Sequence, residues 1–404
     1  MRLARLAAAL VALGLSPSLL ADVVTDWNDK ACAIVGKLGP GAPGHRAMAF
    51  VQVAVFEAVN SIEPRYTPYM QRIPASPGAS VDAAVAAANR AVLVAIMPAE
   101  KAAIEAMYQE ALAKVPEGQA RADGIAVGEK AGALMVARAA ADGAIGPDNY
   151  AWKTAPGVYV PTMIPAVTTW PRRAPWIMDK ASQFRPGPPP TLESETWEKD
   201  FHEVKALGAK NSTARTPEQT AIAQFWEETR PIVYYPVLKS VAAMPGRTVT
   251  QNARLYAAAG MAMDDALIAV FDAKYHYNFW RPVTAARMEH TAGKTQVPAD
   301  LGWTPFIATP MHPEYPCAHC VASGSLGAVM QAELGSGSAP VLSAASPTAN
   351  GAKREWATVS AFMQEVQMAR VYDGVHYRNS TVVGNDIGMK VGDLVQKRFA
   401  QPAR

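Results

Sequence analysis

Apolar residues recur at helical spacing along most of the chain. Residues 45–61 place Met48, Val51, Val55 and Val59 on one stripe, as a helix facing a core does. Residues 81–95, 98–115 and 119–142 are rich in Ala, Glu, Lys and Leu, all strong helix formers. Thr216-Pro217-Glu218-Gln219 reads as a helix start, with a capping threonine, a first-turn proline and a capping-box glutamine. A long helix is predicted over 250–280, and others over 322–333, 353–372 and about 380–399. In the last of these Gly384, Gly388 and Gly392 stand four apart, a stripe that lets another helix approach closely. The same spacing occurs in membrane helices, but Asp386, Lys390 and Asp393 exclude a lipid setting. No persistent period-2 alternation and no internal repeat appear. The pattern predicts an all-α, multi-helix bundle.

Proline interrupts this pattern once at length. Residues 145–195 carry Pro156, Pro161, Pro165, Pro171 and Pro175, then RPGPPP at 185–190, and read as an irregular connector wrapping the surface. It divides an N-terminal helical lobe, 22–144, from a C-terminal helical lobe, 196–404. Residues 1–21 place Arg2 and Arg5 before an apolar run that ends at the small Ala21, the layout of a secretory signal peptide. A periplasmic or secreted protein with no integral membrane span is therefore expected.

Composition narrows the function. Of 404 residues, half are hydrophobic and 18% are charged, an ordinary globular balance. The net charge is only +3, so nothing global suggests nucleic acid, and an anion site must gather its cations locally. The three cysteines, Cys32, Cys317 and Cys320, do not form a disulfide scaffold.

Three segments carry candidate chemistry. In KYHYNFWRP, Lys274 and Arg281 are seven residues apart; one helix would turn about 700° between them and aim both the same way. Pro282 is expected to end that element. Cations embedded among Tyr275, Tyr277, Phe279 and Trp280 suggest a buried strip that needs an anion. In TPMHPEYPCAHC, a proline-punctuated loop delivers His312 and His319 just before the helix expected at 322–333, whose free N–H groups suit an oxyanion. In ARVYDGVHYRNS, a turn at Gly374 would bring His376 back beside Arg370. The Cys317–Cys320 pair is compatible with a disulfide at the helix mouth or with two small buried thiols.

Together these segments resemble the signature of the vanadium haloperoxidases and the type 2 phosphatidic acid phosphatases. That pattern is Lys, six residues, Arg-Pro; then Pro-Ser-Gly-His; then Ser-Arg, five residues, His, three residues, Asp. Here it reads Lys274 to Arg281-Pro282; Pro316-Cys317-Ala318-His319; and Ala369-Arg370, His376, Ser380. The resemblance implies the helical-bundle fold of that group. It implies that Lys274, Arg281, Arg370 and the Ala318 N–H hold the oxygens of vanadate, or of a phosphate in the same site. It implies that His376 Nε2 is the vanadate ligand or the phosphoryl-accepting nucleophile, and that His319 is the general acid/base.

Three departures stand out. Cys317 replaces a serine, Ala318 a glycine, and Ser380 the final aspartate. Asp373 is the expected substitute for that aspartate, and His312 is expected beside the metal centre. The reading favoured is a haloperoxidase using hydrogen peroxide and halide. The alternatives are a phosphatase cleaving phosphomonoesters through a phosphohistidine, and a non-catalytic oxyanion-binding homologue. The extra helices are compatible with a homodimer.

Overall fold

In the computed structural model, residues 22–143, 148, 150–399 and 401–403 are described. The signal-peptide reading of residues 1–21 lies outside them. The described residues form thirteen α-helices and two short antiparallel hairpins, so the all-α expectation holds. No described helix is long and apolar enough to cross a membrane.

The axis of the molecule is the long helix α9, Val249–Tyr277, buried along most of its length. Its start is fixed by a capping box: Thr248 accepts from the Gln251 N–H, and the Gln251 side chain accepts from the Thr248 N–H. Against it pack α2 (Ala42–Ile62), α11 (Ala318–Leu334) and α13 (Arg378–Arg398). One apolar core runs through these helices and through α3, Val81–Ile96, and α5, Gln119–Ala140. A second cluster, aromatic, gathers Trp197, Phe279, Trp280 and Tyr377.

The glycine stripe of α13 does what its spacing suggests. A Cβ on Gly384, Gly388 or Gly392 would lie 2.6 Å from the Cys317 carbonyl oxygen, 2.3 Å from that of Val321, or 2.6 Å from that of Ser325. The α11 backbone therefore lies directly on α13, and no larger residue fits the seam.

The described part of the proline-rich segment holds two short 3-10 turns, Trp170–Arg172 and Ala181–Phe184, and it also reaches inward. Trp176 is buried against Phe50. Asp265 of α9 accepts from the backbone N–H groups of Trp176, Ile177 and Met178 at 2.7, 2.8 and 2.9 Å. A segment without a backbone ladder thus has its donors satisfied by one buried carboxylate.

Three predicted element boundaries are corrected. Residues 353–372 are not one helix: β4, Ala352–Trp356, pairs with β3, Leu342–Ser346, before α12 begins at Val359 and runs to Tyr372. The turn between the strands uses Asn350 and Gly351 at positive φ. The predicted helix 250–280 stops at Tyr277, where Asn278 adopts φ 51°. The helix predicted over 322–333 starts earlier, at Ala318.

Candidate active site

Lys274 lies in the last turn of α9 and is fully buried. Its Nζ donates to the backbone carbonyls of Pro313 and Glu314 at 2.9 and 2.7 Å. Arg281 does not share its helical face, because the helix has ended; it is the extended residue before α10, Pro282–Arg287. Arg281 reaches the same region through its own contacts. Its Nε donates to the His312 carbonyl at 2.9 Å and its Nη1 to the Val375 carbonyl at 2.8 Å.

Arg370 ends α12. Gly374, at φ 76°, then reverses the chain, and the His376 N–H donates back to the Arg370 carbonyl at 3.2 Å. The close approach to Gly208 admits no side chain there: a Cβ on Gly374 would sit 2.3 Å from the Gly208 carbonyl oxygen. This turn brings His376 beside Arg370, as the sequence suggested. Both line one cavity of about 390 Å³, together with His312, Ala318 and His319. Lys274 and Arg281 stand behind that wall, joined to it through the loop carrying His312 and through His376.

His319 sits inside the first turn of α11 rather than in the loop before it. The helix is capped by Cys317, whose Sγ accepts from the Cys320 N–H at 3.2 Å. Cys317 and Cys320 are joined by a disulfide. Cys317 therefore has no proton to donate to an anion, a sharper departure from serine than a thiol would be. Ala318 does not take a positive φ, so its methyl group adds no backbone strain and its first-turn N–H remains a donor.

The protonation pattern of His376 follows from its neighbours. Nε2 lies 3.2 Å from Arg281 Nη1, and Nδ1 lies 2.6 Å from Glu314 Oε1. A guanidinium only donates and a carboxylate accepts, so the two contacts together put the lone pair on Nε2 and the proton on Nδ1, the shorter contact with Glu314 setting the balance. His312 Nδ1 differs: it faces a donor, Arg281 Nη2, at 3.0 Å and an acceptor, the Pro313 carbonyl, at 3.2 Å, so these contacts fit either tautomer.

Glu314 was not singled out from the sequence. The available signal was an acid inside a proline-bounded loop between two histidines. Asp373, expected beside His376, instead places Oδ2 2.6 Å from Arg370 Nη1. The correction has a simple cause: Asp373 precedes the reversal at Gly374 and stays with the α12 end, whereas His376 follows it.

The electrostatics describe a site short of negative charge. Lys274, Arg281 and Arg370 are all at most 1% exposed. Burial, then the neighbouring Arg281 charge, holds the Lys274 ammonium well below its usual range. Burial pushes Arg281 down to about 10. The His376 and His319 rings are both held well below the usual value, His376 by burial and Arg281, His319 by burial and Arg370. Burial raises Glu314 to about 7 against the pull of Lys274 and Arg281.

Three buried polar atoms of residues lining the cavity have no hydrogen-bond partner: Arg370 Nε, His319 Nε2 and His45 Nδ1. Buried donors of this kind normally have partners. Arg370 on the wall, Lys274 and Arg281 behind it, a helix start and three unpartnered nitrogens fit a compact oxyanion, vanadate or phosphate.

Residues 254–404 match the family model for the VCPO second helical-bundle domain. The chain superposes on the first bacterial vanadium-dependent iodoperoxidase with a TM-score of 0.79, at 22% identity, covering 94% of this chain and 96% of that one. It superposes on an apo-type bacterial vanadium-dependent chloroperoxidase at 0.73, with 16% identity over 87% of this chain and 92% of that one. For a holo-type bacterial chloroperoxidase the score is 0.72, with 16% identity over 95% and 93%. No curated protein matches the chain. The fold is that of the vanadium haloperoxidases.

Proposed function

We propose that this protein is a vanadium-dependent haloperoxidase that oxidises halide with hydrogen peroxide. The observation that carries this reading is the state of His376: Nε2 is left as a lone pair by Arg281 and Glu314, at the wall of a cation-backed cavity. Bound vanadate would supply a Lewis-acidic centre that activates peroxide toward halide. The overall reaction takes halide, hydrogen peroxide and one proton to hypohalous acid and water.

The residues divide the work. Arg370, through its free Nε, and the Ala318 N–H would hold anion oxygens, with Lys274 and Arg281 supplying positive charge from behind. His376 Nε2 would be the single protein bond to the anion's central atom. His319 Nε2 would hold and pass the proton the reaction consumes, a bound anion offsetting the burial and the Arg370 charge that lower its basicity. His312 holds Arg281 through its backbone carbonyl and lines the cavity beside the site.

The purified protein, incubated with orthovanadate, hydrogen peroxide and iodide or bromide, should halogenate a phenolic dye. Hydrolysis of p-nitrophenyl phosphate, inhibited by vanadate and without any peroxidase turnover, would assign the phosphatase reading, with His376 as nucleophile. Phosphate binding without either activity would assign a non-catalytic oxyanion-binding protein.

A further inference from the structure

We infer that Glu314 is the positioning residue for His376, supplying from the loop before α11 the carboxylate that position 380 lacks. The inference rests on the functional reading above. Its first support is the geometry of one oxygen. Glu314 Oε1 accepts from His376 Nδ1 at 2.6 Å and from the Tyr377 N–H at 3.1 Å. It therefore holds the ring and the backbone immediately after it, which fixes both the tautomer and the direction of Nε2.

The support beneath Glu314 is rigid. Its N–H donates to the Phe279 carbonyl at 2.9 Å, and its own carbonyl accepts from Lys274 Nζ at 2.7 Å. Lys274 thus has a second task besides charge: it ties the end of α9 to the loop that delivers the carboxylate. Glu314 is fully buried, so water does not compete for the ring proton.

The other candidates are excluded by position. Ser380 Oγ lies 3.4 Å from His376 Nδ1, and a neutral hydroxyl at that distance adds little beside a charge-assisted contact at 2.6 Å. Asp373 is engaged with Arg370. Yet the Ser380 geometry shows that a carboxylate at 380 would reach the same nitrogen. The carboxylate has in effect moved from the chain after the histidine to the loop before the other histidine.

The transplant can be made in reverse. We would compare the wild type with E314A, E314Q and E314A/S380D, reading three signals: the ¹⁵N histidine-ring spectrum of the anion-free protein, orthophosphate affinity by calorimetry, and vanadate-dependent turnover. The wild type should show His376 protonated at Nδ1 and bare at Nε2. E314A should lose that single tautomer, with affinity and kcat falling about 10–100-fold and KM for peroxide little changed. E314A/S380D should regain the tautomer and most of the affinity. E314Q keeps the shape and an accepting oxygen while losing the charge, so it should keep the tautomer and lose turnover, and it decides the matter should E314A not fold. An E314A protein that retains the tautomer and phosphate affinity would overturn the inference, as would an E314Q protein of full activity. The spectrum needs no turnover, so a failure of the haloperoxidase reading would show separately.

Discussion

Arg281 Nη1 lies 3.2 Å from His376 Nε2, and the two groups reach this contact from elements 95 residues apart. The arginine is held by the His312 and Val375 carbonyls, so its fork is already oriented before any anion arrives. Replacing Arg281 by Lys keeps one charge but removes the fork. Orthophosphate affinity, measured by calorimetry, should fall about 10–100-fold, the equivalent of one lost charge-assisted hydrogen bond. Unchanged affinity would mean that the contact is structural only.

Gly388 makes a prediction about the scaffold. Its replacement by Ala would place a methyl group 2.3 Å from the Val321 carbonyl oxygen and 2.8 Å from the Ser325 nitrogen. Neither is a flexible side-chain end, so α11 must shift. We expect a loss of about 1–3 kcal/mol in urea unfolding. Because α11 also carries His319, phosphate affinity should fall with it. A surface control, Lys390→Ala, should change neither.

His45 gives a pH signature. It is buried on the cavity wall, its Nε2 contacting the Thr229 carbonyl at 2.9 Å, and burial lowers its pKa below the ordinary 6.5. A folded-state value below the unfolded one stabilises the fold above pH 6.5, and that contribution is lost as the pH falls. His45→Gln should therefore flatten the acid side of the stability curve between pH 6.5 and 5. The change in slope should be at most about 1.4 kcal/mol per pH unit, the linkage of one proton. Chemical denaturation of both proteins at pH 7 and 5.5 checks the sign.

The sequence made the helices legible where one residue decided the local structure. The Thr216 cap and the glycine stripe are of this kind, because each works through neighbours within one or two turns or through the absence of a side chain. The site was legible as a set of residues but not as a geometry. Lys274 and Arg281 were placed on one helical face, yet Asn278 breaks the helix and their convergence comes from the loop at 312–314. Glu314 was invisible because its partner is 62 residues away and its role depends on a tertiary reversal at Gly374. The β3–β4 hairpin was missed because strand pairing is a long-range contact, and five residues are too few for a period-2 signal.

The most direct measurement is a crystal structure of the protein soaked with orthovanadate. We expect the anion in the cavity with vanadium at bonding distance from His376 Nε2, Arg370 and the Ala318 N–H around its oxygens, and His319 on the far side. Vanadate bound away from His376, or a cavity left vacant at saturating vanadate, would contradict the assignment of this constellation as the active site.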